Sequence, residues 1–366
     1  MTPHVKFIFL ASFLCILPSL CYDRIYKSQK KQDLEDTTMT AEEMWQEFCQ
    51  KKNIQNKTYE AWAFCGGGPA ADELAQLVLA GEKTATASAY DCYLAEGEAL
   101  PKPGDYSVIL YDNGEAACIL KDYDVSVVPF DEVPAYHAYL EGEQGRSLET
   151  WREIHKRAFA PDFESLGQTL TGQSKIVLEK FELVYAPQLE KEEELMLIEP
   201  LEKYSDEISA YRQEFLDNGD SMDGCGSLRR QENPADWIAH SRSLANPTTK
   251  LEDWVHATQL VCVRKSDQRI VGMIQVRHSM NDYIRNYAGH IGYSVRPSER
   301  KKGYAAWMLK NVLGYCKALG IDEVLITCID TNEASRRTIL ANHGVYQNTI
   351  HEPEEKVNLE RYIISI

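Results

Sequence analysis

The sequence has 366 residues, 44% of them hydrophobic, and a formal net charge of −17. This length allows two globular domains, each with its own core. The acidic balance repels phosphate backbones and argues against binding of long nucleic acids, although it leaves room for a local basic pocket for one nucleotide. The ten cysteines contain no CxxC pair, so their spacing indicates neither a zinc site nor a disulfide framework.

The first 38 residues form an extension with two competing interpretations. Lys6 precedes an apolar run over residues 7–21 that is typical of a secretory signal and is too short and proline-broken for a membrane span. Met39 then opens a stretch typical of a cytosolic protein start. Either the extension is a real signal or anchor, or the start of translation has been assigned too far upstream. We favour the second and expect a cytoplasmic protein, because the chemistry described below needs cytosolic metabolites.

Residues 39–186 are predicted to form an α+β domain. The predicted elements are helices at 42–51, 69–80 and 147–159 and strands at 106–112, 115–130 and 175–185. Helices packed around several antiparallel strands favour a small α+β barrel.

Residues 66–71, GGGPAA, formally fit the G-x-G-x-x-A pattern of dinucleotide-binding folds. Such a fold also needs a hydrophobic strand before the glycines and an acid at the end of a second strand. The preceding YEAWAFC is a poor strand, and a glycine-rich turn before a helix that begins at Pro69 explains the same residues.

Residues 187–194 are acidic and polar and are predicted to link this domain to a second one at 195–366. Strands and helices alternate in the second domain, which predicts a mixed α/β sheet flanked by helices. The predicted elements are strands at 195–200, 289–295, 322–329 and 360–366, helices at 202–219, 233–246, 304–319 and 332–344, and a hairpin at 257–279 that turns at 266–268.

Three cations, Arg300, Lys301 and Lys302, directly precede Gly303 and a long helix. Positive charge at a helix start opposes the macrodipole and weakens the helix. The free amides of a helix start bind anions, however, and a diphosphate bound there would turn the cations into favourable partners. The alternative is a solvated basic helix start without a ligand.

Residues 195–366 resemble the GNAT family of N-acetyltransferases, because RKKGYA (300–305) matches the family signature R-x-x-G-x-[GA]. The resemblance implies that backbone amides of this loop hold the pyrophosphate of acetyl-CoA and that the preceding strand pairs with its pantetheine arm. It also implies transfer of the acetyl group to a small-molecule or other amine. The cofactor-binding residues implied in this way are Val295, Arg300, Lys301, Lys302, Gly303, Tyr304, Ala305 and Asn332.

One departure from the family concerns proton transfer. Many members carry a tyrosine seven residues after the asparagine as general acid, and this chain has Ile339 there. Tyr346 or water are alternative acids. His290 and Tyr293 are candidates for the general base, as is His278, although each histidine also fits a structural role. Strand alternation puts His290 and Tyr293 on opposite faces, so at most one of them is expected to face the cleft.

In the first domain, GEKTATASAY (81–90) places Lys83 among small residues and hydroxyls. Such a pocket can lower the pKa of a lysine and make it a base or nucleophile, whereas the alternative is an exposed turn lysine. The stretch resembles the G-x-K-x-x-T motif of ASCH domains, which are β-barrels related to the PUA fold and are proposed to bind RNA or nucleotides.

Small ASCH enzymes deacetylate acetylated cytidine with a Lys, a Thr and a downstream Glu, and by position these fall on Lys83, Thr86 and Glu141. The arginine that usually follows the motif is Ser88 here, which departs from those enzymes. Residues 39–186 contain 25 acidic and 12 basic residues, a formal charge of −13, which suits a nucleoside or small ligand better than long RNA. The ASCH domain is thus either an amidohydrolase or a non-catalytic binding module.

Overall fold

The computed structural model describes residues 39–187, 194–252 and 254–366. The predicted N-terminal extension and residues 188–193 of the predicted linker lie outside these ranges. The described chain divides into two compact units. The first contains residues 39–130, 140–144 and 149–187, and the second contains 131–139, 145–148 and the described residues from 194 onward. No helix in the described ranges is long and apolar enough to cross a membrane.

The elements up to residue 187 confirm the predicted α+β character. In chain order they are α1 (Ala41–Lys52), β1 (Glu60–Trp62), α2 (Pro69–Leu79), β2 (Ala85–Ala89), α3 (Tyr90–Glu96), β3 (Tyr106–Leu110), β4 (Ala116–Pro129), α4 (Ala135–Leu140), α5 (Leu148–Ser165) and β5 (Lys175–Tyr185). α1 begins with a capping box in which Thr40 and Glu43 satisfy each other's backbone amides. The segment that looked like a poor strand does form one, β1, but it is only three residues long.

The strands of the first unit form one sheet in the order β1-β3-β4-β5-β2. β1 and β3 are parallel, and the other neighbours are antiparallel. β4 and β5 are long: one half of the pair carries β3 and the other half carries β2. The register of β4 and β5 is irregular near Ile119, within the half that carries β3, and near Asp122, between the two halves. Such bulges increase the bend and twist of a sheet.

Two apolar layers cover the sheet. α1 packs Met44, Trp45 and Phe48 against one face. Phe64 and residues of α2 cover the other face, which includes Phe181 of β5. This second face also carries the polar residues discussed below.

The second unit contains sheets with flanking helices, as predicted. Its strands form two sheets in which all neighbours are antiparallel. Its further elements are β6 (Leu195–Ile198), α6 (Ser205–Asn218), α7 (Pro234–Ala245), β7 (Ala257–Arg264), β8 (Arg269–Arg277), β9 (Ile291–Val295), α8 (Tyr304–Ala318), β10 (Glu323–Ile329), α9 (Glu333–Ala341), β11 (Val345–Glu352) and β12 (Val357–Ser365). The sheet orders are β6-β7-β8-β9 and β10-β12-β11. α7 begins as the sequence predicts, with the Asn233 side chain accepting a hydrogen bond from the Ala235 amide.

Candidate functional sites

The predicted cofactor loop connects β9 to α8. Lys301 (φ 65°) and Gly303 (φ 85°) both adopt left-handed conformations, so the chain turns sharply before the helix begins at Tyr304. A Cβ added at Gly303 would meet no atom within 4 Å, so the backbone conformation and not crowding favours glycine there. The first-turn amides of α8, which include those of Tyr304 and Ala305, have no acceptor within the helix. This is the geometry that binds an anion at a helix start.

Two of the three loop cations are held by acids. Arg300 forms an ion pair with Asp220, and Lys302 Nζ lies 2.6 Å from Glu299 Oε2. Glu299 is buried, and its second cation is Arg264, 2.9 Å away. The hydrogen bonds from Arg264 and then Lys302 outweigh burial and lower the pKa of Glu299 to about 2. The loop is therefore anchored by a carboxylate that stays ionised, while Lys301 is exposed.

β9 is an edge strand of its sheet. It pairs with β8 from Ile291 to Val295, and the two sheets touch through an isolated bridge between Gly289 and Ile326. Past that bridge, the described residues give the outer side of β9 no strand partner, and Arg300 Nε donates a hydrogen bond to the Val295 carbonyl at 3.2 Å. An open strand edge that leads to an anion-binding helix start suits an extended ligand that ends in a phosphate.

Tyr293 lies on β9 and points toward α9. Its hydroxyl is 2.9 Å from Ser335 Oγ, and burial raises its pKa well above the ordinary value, so it stays protonated. Asn332 caps α9, because its side-chain oxygen accepts the Ser335 amide at 3.1 Å. Ser335 was not predicted as a site residue; its position three residues after a capping asparagine is the signal that points to it.

The histidine candidates have structural partners. His290 Nδ1 accepts a hydrogen bond from the Leu325 amide at 2.9 Å, and burial, followed by the charge of Arg277, lowers its pKa to about 4. His278 lies in a network with Thr258 and Tyr315, and burial likewise lowers its pKa to about 4. Both rings are neutral near pH 7 and are weak bases.

Neither the residue at the family's tyrosine position, Ile339, nor the alternative acid, Tyr346, lies at the edge of β9. Ile339 is fully buried. Tyr346 is exposed on β11, where its hydroxyl is 2.9 Å from Thr349 Oγ1, and β12 separates β11 from β10. The structure does not bring Tyr346 to the edge of β9.

In the first unit, Lys83 is buried in a cluster of acids. It is 1% exposed, and its Nζ lies 3.3 Å from Glu141 Oε2 and 2.9 Å from Glu143 Oε1. The loop that carries both acids packs tightly on the lysine, because a Cβ at Gly142 would come within 2.5 Å of the Glu82 carbonyl. The exposed-turn alternative for Lys83 is therefore wrong.

The pKa of Lys83 also shifts in the direction opposite to the one considered from the sequence. Burial alone would lower its pKa, but Glu143 and Glu141 outweigh burial and raise it. The lowered pKa considered from the sequence is therefore wrong, because two carboxylates from a distant part of the chain lie beside the lysine. Lys83 is a cation at neutral pH and donates hydrogen bonds.

Glu141 is also 1% exposed and has further partners that the sequence analysis missed. Trp151 Nε1 donates to its Oε1 at 2.7 Å, and His155 Nε2 lies 3.5 Å from its Oε2. Burial would lower the pKa of His155, but Glu141 outweighs it and raises the pKa. Thr86 stands on β2 opposite Glu179 of β5, partly exposed.

Two parts of the chain match the models of known protein families. The family model described as "ASCH domain" matches residues 60–185. The model described as "Acetyltransferase (GNAT) family" matches residues 225–344. No curated protein matches the chain.

Solved structures resemble each part separately. An ASCH domain from Lactobacillus crispatus is 30% identical, with 42% of this chain and 99% of that chain covered and a TM-score of 0.37. A protein from Enterococcus faecalis is 32% identical, with 39% and 86% covered and a TM-score of 0.36. The acetyltransferase MccE, solved in complex with acetyl-CoA and AMP, is 20% identical, with 48% and 94% covered and a TM-score of 0.37. Residues 60–185 thus match the ASCH-domain family, and residues 225–344 match the GNAT acetyltransferase family.

Proposed function

We propose that this chain uses acetyl-CoA to acetylate the amine of a small molecule. The observation that carries the proposal is the start of α8, where two left-handed residues, Lys301 and Gly303, turn the chain so that free helix amides and basic side chains lie together. GNAT enzymes as a family use acetyl-CoA. A transferase of this kind needs a compartment that supplies the cofactor, and on that ground we place the chain in the cytoplasm.

In this proposal the pyrophosphate binds at residues 300–305 and the pantetheine arm lies along the open edge of β9 up to Val295. Asn332 helps to hold the cofactor from the start of α9. The amine attacks the thioester carbonyl and loses a proton, the bond to sulfur breaks, and the thiolate of CoA takes up a proton. Tyr293 and Ser335 form a hydroxyl pair beside β9 that relays this proton, because Tyr293 is protonated at neutral pH and takes up one proton as it gives up another.

The test compares two glycines of α8. Gly303→Glu places a carboxylate and a strained residue at the proposed pyrophosphate site, and we expect acetyl-CoA to bind at least tenfold more weakly in calorimetry. Gly320 follows the other end of α8, has φ 77° and has open space around it, so Gly320→Glu imposes the same strain and charge without touching the site. Equal affinity of the two variants would contradict the assignment of the loop.

A second candidate function concerns the ASCH domain, which we propose to be an amidohydrolase of acetylated nucleosides. The supporting observation is the buried cluster of Lys83, Glu141 and Glu143 beside a strand that carries Thr86. Because Lys83 is a cation, it would stabilise negative charge on the acetyl oxygen and would not act as the base. Glu141 would accept the proton when Thr86, or water held by it, attacks the carbonyl, and would return it to the leaving nitrogen as the amide C–N bond breaks.

Thr86→Val tests this role better than removal of Lys83, which would leave two acids buried without their cation. We expect the wild type to release cytidine from acetylated cytidine, measured by chromatography, and Thr86→Val to be slower by about 100-fold or more. Thr169→Val, an exposed threonine of the same unit, is the control. No cytidine from the wild type would leave the domain as a binding module, and equal rates would remove Thr86 from the reaction.

A further inference from the structure

Four carboxylates share one face of the first unit's sheet. We call Glu60, Asp105, Asp122 and Glu179 the acidic row. Glu60 and Glu179 each stand two residues before an aromatic residue, Trp62 and Phe181, that packs on the α2 side of the sheet. Because side chains alternate along a strand, Glu60 and Glu179 face the same side.

The other two acids lie between them. Asp122 is opposite Phe181 in the register of β4 and β5, and its amide donates to the Asp105 carbonyl at 3.0 Å. Asp105 directly precedes β3, so the row crosses β1, the start of β3, β4 and β5 in order. Strands lie about 4.8 Å apart, so the four carboxylates spread over about 14 Å.

Asp122 is the group in this row that needs a partner. It is 7% exposed, and the described residues place no hydrogen-bond donor or cation on its carboxylate. A buried carboxylate without a partner is costly, and proteins normally pair such groups or bind a ligand with them. Burial, then Asp105 and Glu60, raise the pKa of Asp122 to about 7, and burial, then Asp122 and Glu60, raise that of Glu179 to about 8.

The spacing of the row bears on the nature of the ligand. Within the described ranges, no three histidine, cysteine, aspartate or glutamate side chains come close enough together to hold a metal ion. An anionic ligand such as a nucleotide would be repelled by the row. An extended ligand with several cationic or amino groups matches carboxylates that are spread over neighbouring strands.

We propose that the acidic row binds a small organic polycation that carries at least two ammonium groups. The nearby β2 face adds hydroxyls to the same side: Thr86 is in register with Glu179, and Ser88 Oγ lies 3.0 Å from the Tyr93 hydroxyl. The bound ammonium groups replace protons on Asp122 and Glu179, so ligand binding releases protons near neutral pH. This site is separate from the proposed acetyl-CoA site and does not depend on it.

The experiment is calorimetry of the full chain with spermidine at pH 7.5 and about 0.15 M salt, where weak attraction to the overall negative charge is screened. We expect one spermidine per chain. Asp122→Asn and Glu179→Gln should each weaken binding at least tenfold. Glu73→Gln removes an exposed acid from α2 in the same unit and should change the affinity less than twofold.

Thermal unfolding of each variant establishes that it is folded, and acetyl-CoA binding measured in parallel reports on the other site. Failure of acetyl-CoA binding would therefore count against the proposed transferase and not against the acidic row. The proposal is overturned if spermidine does not bind, if the three substitutions affect it equally, or if Ca²⁺ binds to the same carboxylates with equal or higher affinity.

Discussion

Asp122 and Glu179 lie in an environment unlike that of an ordinary surface acid. Other acids of the chain, such as Glu299, are held ionised by cations, and their pKa is lowered. In the acidic row, burial and then the charges of neighbouring acids raise the pKa of Asp122 and Glu179. The same residue type thus stabilises the fold in its charged form at one site and in its neutral form at the other.

This difference predicts an unusual pH dependence of stability. Asp122 and Glu179 keep a proton in the fold at pH values where the unfolded chain, with ordinary pKa values of 3.8 and 4.5, has lost it. The folded state therefore binds more protons over about pH 4 to 8, and these two groups make the free energy of unfolding fall as the pH rises through that window. The slope is at most about 1.4 kcal/mol per pH unit for each group.

Denaturant unfolding between pH 5 and 9 measures this effect. We expect Glu179→Gln to be stabilised relative to wild type, increasingly so toward pH 9, because the variant has no proton to lose. Asp122→Asn should behave in the same way, whereas Glu73→Gln should follow the wild-type curve. A constant difference between Glu179→Gln and wild type at every pH would show that the carboxyl does not titrate in this range.

At the scale of single elements, the helices and strands that could be predicted are those whose own residues show an alternation, a turn or a helix cap. β5 at 175–185 and the β7–β8 hairpin lie where the alternation and turn residues put them, and α7 begins at its predicted cap. β2 (ATASA) was missed because its small residues have weak strand propensity, and only pairing with β5 makes it a strand. β11 was missed because most of its residues are exposed, so it shows no buried alternation.

The candidate sites also differ in whether their residues are contiguous in sequence or brought together by the fold. The loop at 300–305 is contiguous in sequence, so its turn and helix start were predictable from cations, a glycine and a following helix. The Lys83 cluster is assembled from the chain 58 and 60 residues away, at Glu141 and Glu143. Its electrostatics depend on that packing, which is why the direction of the Lys83 pKa shift could not be read from the motif. The acidic row likewise exists only through the order of the strands.

At the scale of the whole molecule, the chain contains two units that each bury their own apolar residues. A compact unit with its own core unfolds cooperatively, and a ligand stabilises the unit that binds it by an amount that grows with the logarithm of its concentration. We therefore expect two transitions in scanning calorimetry of the full chain. Acetyl-CoA at about 100 times its Kd should stabilise the second unit by about 2.7 kcal/mol and raise the temperature of one transition only.

Spermidine should raise the temperature of the other transition, because the acidic row lies in the first unit. Asp122→Asn should reduce the shift caused by spermidine and leave the shift caused by acetyl-CoA, and Gly303→Glu should do the reverse. A single transition that both ligands move together would contradict independent unfolding of the two units. It would mean that ligand binding to one unit changes the stability of the other. The two units would then have to be treated as one thermodynamic system.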